Sequence, residues 1–194
     1  MHNQSTLFRL LGGLLFHAPH SDIAQSVLDA FADHDDDTLL LLASHARQTD
    51  REQLEQDYFQ LLQGNGDMPC PPWGSAYLEK DNALFGASTM AFREFIRSKG
   101  LTCDTGMREP EDHIGLMFLL TSLLLEQGDL VGANQLLEQH LMPFAPEMLS
   151  AMQTKAETPF YQQLAEFSQA WLNYYCEEQC ITITEHRNYW QQAK

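Results

Sequence analysis

Basic residues are scarce in this chain: 11 Lys and Arg stand against 27 Asp and Glu over 194 residues, a formal net charge of −16. A surface of that sign repels polyanions, which argues against nucleic acid and anionic membranes as partners and favours a cationic peptide. Cysteine is scarce too. Cys70, Cys103, Cys176 and Cys180 are too few for a disulfide framework in a chain long enough to bury its own core, so reduced thiols in a cytosol are expected. No apolar run approaches the roughly 20 residues of a membrane span. The longest, Ile114 to Leu125, has 12 residues and includes Thr121 and Ser122. Leu7 to Phe16 is interrupted by Arg9 and has neither a positive region before it nor a clean small-residue cleavage site after it, so no targeting segment is expected. There is no Arg-Arg pair, and the chain does not itself read as a twin-arginine export substrate. A soluble cytoplasmic protein is the expectation.

Signatures of catalysis are also missing. There is no GxSxG elbow, no papain-like cysteine context, no phosphate-cradling GxxxxGK[ST] or GxGxxG, and no HExxH. Cys176 and Cys180 lack the further Cys or His that would complete a zinc or iron–sulfur set. Neither an enzyme nor a bound metal is expected.

What is present is helical periodicity almost throughout; strict alternation extends no further than Ile181 to Thr184. The reading is an all-α, single-domain helical bundle of about eight to ten helices spanning 1–194, with a polar tail from about 185 that frays. Ser5 is placed to cap a first helix (Leu7, Leu10, Leu11, Leu14, Leu15) ended by Pro19. Ser21 or Asp22 starts a second, Leu39–Ala46 forms a third, and Asp50 with Gln53 caps a fourth that buries Leu54, Tyr58, Leu61 and Leu62 and ends at Gly64. Residues 64–75 hold three Gly and three Pro and form the longest irregular segment. Helix resumes from Ser88 (Phe92, Phe95, Ile96) and closes at Gly100. Pro110 is expected at the first position of a helix that runs to Gln127, is apolar all round and forms the buried centre of the bundle. Asp129 caps the next helix, Pro143 and Pro146 mark a joint, and Thr158-Pro159 opens a last long helix with Phe160, Leu164, Phe167, Trp171 and Tyr174 on one face.

Two segments stand out. Glu109-Pro-Glu-Asp-His-Ile-Gly115 is the densest polar cluster and falls at the start of the most apolar helix. Its carboxylates either cap free N–H groups, with His113 at the core edge, or face a groove and bind a guanidinium bidentately. The charge imbalance favours this neighbourhood: residues 109–186 carry 12 acidic residues against Lys155 alone. The other segment, Pro71-Pro-Trp-Gly-Ser-Ala-Tyr77, sets Trp73 in a rigid loop that either presents it to an extended peptide or lids the core.

Together, Pro71-Pro-Trp-Gly-Ser-x-Tyr-Leu78 and Glu109-Pro-Glu-Asp-His-Ile-Gly115 resemble the TorD/DmsD family of redox-enzyme maturation chaperones, closer to the DmsD-type branch. The likeness extends to the Tyr58-x-x-Leu61-Leu62 helix, the Leu84-Phe-Gly86 turn and His140-Leu-x-Pro143-Phe144. The resemblance implies a cytoplasmic all-α chaperone without turnover. It would bind the twin-arginine signal peptide of a molybdenum-cofactor oxidoreductase, of the dimethyl sulfoxide or trimethylamine N-oxide reductase type, and delay export until the cofactor is loaded. Contact with the Tat translocase, weak GTP binding, and a monomer or domain-swapped dimer are further family properties. Family leader-binding residues match Tyr58, Leu61, Leu62, Pro72 and Trp73 on one side and Pro110, Asp112 and His113 on the other. On this reading Glu109, Glu111 and Asp112 pair with the leader arginines and His113 bonds its backbone. Trp73, Tyr77, Leu61 and Leu62 pack its apolar part, and Ser75 completes the set. Gly64-Asn-Gly-Asp67 stands where family members can carry a second aromatic. The competing readings are a metal- or nucleotide-dependent enzyme centred on Glu109–His113, and an assembly factor for another client.

Overall fold

The computed structural model describes residues 2–64, 68–80, 86–102, 110–184 and 186–190, and every regular element among them is helical. In chain order these are α1 (His2–Phe16), α2 (Asp22–Ala32), α3 (Asp37–Gln48), α4 (Arg51–Tyr58), α5 (Ser75–Leu78), α6 (Ala87–Ser98), α7 (Ile114–Glu126), α8 (Leu130–Leu136), α9 (Ala145–Lys155) and α10 (Pro159–Glu178). α4 and α8 each run on into one π-helical turn, Phe59–Gln63 and Leu137–Leu141.

The helix starts follow from capping chemistry. Ser21 accepts from the Ala24 N–H, Asp50 from Glu52 and Gln53, and Asp129 from Gly132, each occupying amides that have no partner inside the helix. Gly100 (φ 69°) and Gly128 (φ 79°) close α6 and α7 in the left-handed region that glycine tolerates. The Thr158-Pro159 start is capped from a distance. The buried Asp57 carboxylate on α4 accepts from the Thr158 N–H at 2.9 Å, the Thr158 hydroxyl at 2.6 Å and the Glu157 N–H at 3.2 Å, fastening α4 to α10.

α1 and α7 cross in close backbone contact. A Cβ on Gly12 would stand 2.9 Å from the Leu119 nitrogen, and one on Gly115 would stand 2.9 Å from the Phe16 nitrogen, so the two backbones approach where each helix lacks a side chain. Phe8, Leu11, Leu15, Phe118 and Leu124 are fully buried around this contact, and the Ser122 hydroxyl donates to the Ser5 carbonyl at 2.7 Å.

Several expectations are corrected. Ser5 lies inside α1 rather than at its cap, and α1 ends at Phe16, ahead of Pro19. Pro110 does not open α7. Residues 110–113 form a turn, closed by the His113 N–H on the Pro110 carbonyl at 3.3 Å, and the helix starts at Ile114. α7 is not covered on every side: Leu116, Leu119 and Leu120 are half-buried and Leu123 is 39% exposed, forming an outward stripe at i, i+3, i+4 and i+7. α10 is rotated from the expected face. Tyr161, Leu164, Ser168, Leu172 and Tyr175 point inward, Phe167 and Trp171 are half-buried, and Tyr174 is exposed, with α9, α3 and α4 packed on the helix. Of the tail from 185, residues 185 and 191–194 lie outside the described residues; within 186–190, the Tyr189 N–H donates to the Tyr77 carbonyl at 2.8 Å.

Candidate functional site

The two motif loops are joined by backbone. The Ile114 N–H donates to the Pro72 carbonyl at 2.8 Å and the Gly74 N–H to the Asp112 carbonyl at 3.0 Å, an isolated antiparallel bridge that pairs Trp73 with His113. Segments 40 residues apart in sequence thereby become one wall.

His113 is the pin of that wall. Its Nδ1 accepts from the Gly115 N–H at 3.0 Å, capping α7, which leaves the ring proton on Nε2, donated to the Leu62 carbonyl at 3.1 Å. Phe16 meets the ring edge-on at 5.2 Å and Trp73 at 6.3 Å. The imidazole is 1% exposed, and burial pushes its pKa down to about 4 despite the opposing Leu62 bond, so it is neutral at physiological pH. With both nitrogens committed to backbone, His113 has no atom available as a catalytic base.

Asp112 caps a helix other than the one expected. Its Oδ2 accepts from the Ser75 N–H at 2.7 Å, at the start of α5, and from the Thr89 hydroxyl at 3.1 Å on α6. Its Oδ1 has no hydrogen-bond partner among the described residues, although the residue is 2% exposed. Burial raises the carboxyl's pKa, against the opposing bonds from Ser75 and Thr89. Glu111 is already paired: Arg93 holds it through two bonds, 2.8 Å and 2.7 Å. Partial burial pushes the Glu111 pKa up, but the Arg93 bonds and charge outweigh it and leave it lowered.

The remaining candidates are buried side chains. Leu61 and Leu62 are fully buried, and the Tyr58 hydroxyl donates to the Phe16 carbonyl at 2.6 Å. Ser75 and Tyr77 are enclosed, Pro72 and Pro110 are buried, and Trp73 retains 8% exposure. Glu109 lies outside the described residues, as do 65–67 of the Gly-Asn-Gly-Asp stretch and Cys103.

Open space lies on the far side of Asp112. A cavity of about 530 Å³ is walled by Asp112, Glu79, Ser88, Gln139, His140 and His186, with Phe92, Met117 and Leu78 as its apolar surface and no Lys or Arg among the described residues that line it. The His140 ring sits 5.2 Å from Phe92 and 5.1 Å from Phe95; burial, with the neighbouring His186, pushes its pKa down to about 4. Phe92 also borders a second hollow of about 440 Å³, along the α7 stripe, lined by Phe16, Ile96, Leu101, Leu116, Leu119 and Leu123. A carboxylate-bearing cavity thus adjoins an apolar groove across one phenyl ring. The sequence reading missed His140, His186, Phe92 and the stripe. The helical period of Leu116, Leu119, Leu120 and Leu123 was the available signal, absorbed there into an all-round apolar helix. Among the described residues no three His, Cys, Asp or Glu side chains are grouped as metal ligands. Nor is any described helix long and apolar enough to cross a membrane.

Similar proteins fit this architecture. The family model described as nitrate reductase delta subunit matches residues 28–150. The Tat proofreading chaperone DmsD of Salmonella typhi is 33% identical over 168 residues, 82% of each chain. The chaperone protein TorD of Psychrobacter is 30% identical over 110 residues, 52% of this chain and 50% of that one. The crystal structure of a redox enzyme maturation protein from Archaeoglobus fulgidus superposes with a TM-score of 0.62 at 21% identity, covering 90% of this chain and 94% of that one, which matches the fold. Motif loops that pair through His113, an all-helical frame and this degree of identity have one common account: the chain belongs to the TorD/DmsD family of redox-enzyme maturation chaperones.

Proposed function

We propose that this chaperone acts in the cytoplasm on the twin-arginine leader of a molybdenum-cofactor oxidoreductase, holding the precursor back from export until its cofactor is inserted and the chain is folded. The observation that carries the reading is Asp112, whose buried Oδ1 has no hydrogen-bond partner among the described residues and which lines a cavity together with Glu79 and neutral polar groups. A guanidinium supplies donors in a planar fork that such an oxygen accepts, and Glu79 on the same wall offers a second carboxylate. The apolar run that follows the arginines in a leader has the α7 stripe beside it, across Phe92. The names of the relatives, a Tat proofreading chaperone among them, agree with this chemistry.

The roles of the individual candidates differ on this reading. Asp112 contacts the leader. Glu111 joins only by exchanging Arg93 for a leader arginine. His113, Leu62, Pro72, Ser75 and Tyr77 act by position, keeping Asp112 and Trp73 in register. Calorimetry with a synthetic leader peptide tests the assignment. The arginines replaced by glutamines, or Asp112 replaced by Asn, should each weaken binding by about tenfold or more, the order of a charge-assisted bond lost. Equal affinity for the Arg-Arg and Gln-Gln leaders would remove Asp112 from the site.

A further inference from the structure

α10 ends at Glu178, and two residues later Cys180 adopts φ 53°, the left-handed conformation that reverses a chain at a helix C-terminus. The Ile181 N–H returns to the Cys176 carbonyl at 2.9 Å, and the chain doubles back over the bundle. Residues 181–184 and 186–189 form no helix or strand and take hydrogen-bond partners from the frame. The Thr184 N–H reaches the Glu138 carbonyl at 3.3 Å, the Asn188 side chain bonds the Glu147 carboxylate, and the Tyr189 N–H reaches the Tyr77 carbonyl at 2.8 Å. The Trp190 ring rests 5.6 Å from that of Tyr77. Between these anchors, Thr184 and His186 form part of the wall of the Asp112 cavity.

We infer that residues 181–184 and 186–190 form an intrachain strap across the mouth of the client cavity, displaced when a client segment enters. This rests on the reading of that cavity as the leader site. The strap has a client's chemistry. It carries apolar residues, Ile181 and Ile183, and then Arg187, the first Lys or Arg after Lys155 in an otherwise acidic stretch. Residues 182–184, 186 and 187 are solvent-exposed, and the bonds that tie the segment to the frame include three from backbone amides and one from a side chain, beside the packing of Ile181 and Trp190 against the core. Segments this exposed along their middle open locally without global unfolding. A site whose competent state is only partly populated binds with an affinity reduced by that fraction, so the strap sets a threshold that weak or partial client segments fail to pass.

The test uses the full chain. Tyr189→Pro removes the N–H given to Tyr77, and Trp190→Gly removes the ring contact, leaving Asp112 and its partners untouched. A strap closed about nine-tenths of the time gives a double variant that binds the leader peptide roughly tenfold more tightly. In the unmodified chain, the Tyr189 amide should be protected from hydrogen exchange and lose that protection when the leader is added. Leader affinity unchanged or weakened in the double variant, or a Tyr189 amide still protected in the complex, overturns the strap and leaves the leader reading standing. A leader that binds neither chain overturns the leader reading, and the strap falls with it.

Discussion

His113 couples the stability of the site to pH, and the sign is fixed by its burial. In the unfolded chain its imidazole titrates near 6.5, whereas in the folded protein it is held down to about 4. Between those values the unfolded state binds the extra proton, so stability rises with pH and is lost as pH falls from about 6.5 toward 4. For these two values the loss between pH 8 and pH 5 is about 2 kcal/mol, and pH 5 still lies above the isoelectric point of about 4.6. The geometry gives the reason. Protonation puts a hydrogen on Nδ1, which must accept from Gly115, so charging the ring breaks the α7 cap and buries a cation among Phe16, Trp73 and Leu62. Asp112 opposes the trend, since its raised pKa favours a proton in the folded state. That contribution, with those of His140 and His17, cancels when the chain is compared with His113→Gln. Urea unfolding followed by circular dichroism at pH 8 and pH 5 should show the parent losing about 2 kcal/mol more than the variant. Equal losses would mean that His113 titrates normally and is not the pin described above.

Three further outcomes are expected. Asp57→Ala leaves the Thr158 N–H and hydroxyl without their acceptor at the start of α10; a loss of about 3 kcal/mol in chemical unfolding should follow, while Asp57→Asn retains part of it. Gly115→Ala sets a methyl 2.9 Å from the Phe16 backbone nitrogen, where no flexible side chain can yield, and should cost about 1–3 kcal/mol, read as a lower urea midpoint. The association rate of a cationic leader should fall severalfold between low and high salt while its dissociation rate changes little, since the net charge of −16 acts at long range; stopped-flow fluorescence distinguishes the two rates.

The helices were legible because their causes are local. Ser21, Asp50, Asp129, Gly100 and Gly128 each act within a few residues of their own position, and each marks the boundary expected of it. The first motif loop was legible as composition, since Pro and Gly disfavour helix and 68–74 are irregular, but the short α5 that starts at Ser75, inside the expected loop, was not. What the motif loops do was not legible. Asp112 meets Ser75 across 37 residues and His113 meets Leu62 across 51, and no periodicity records such partners. Pro110 was assigned to the helix start by propensity, but the pairing of Ile114 with Pro72 takes the amide that would have extended the helix backward. The inward face of α10 was set by which helices press on it, and the docking of Tyr189 by a carbonyl on α5.

The bridge between Trp73 and His113 is made of main-chain groups: Pro72 and Asp112 contribute carbonyls, Ile114 and Gly74 contribute amides. Amides and carbonyls are common to every residue except for proline's missing N–H, so this joint is blind to most of the side chains hung upon it. The surfaces flanking it, Gln139 and the leucines of α7, can therefore change identity without shifting the loops that position Asp112. A scaffold arranged in that way separates the question of where a client is held from the question of which client is chosen.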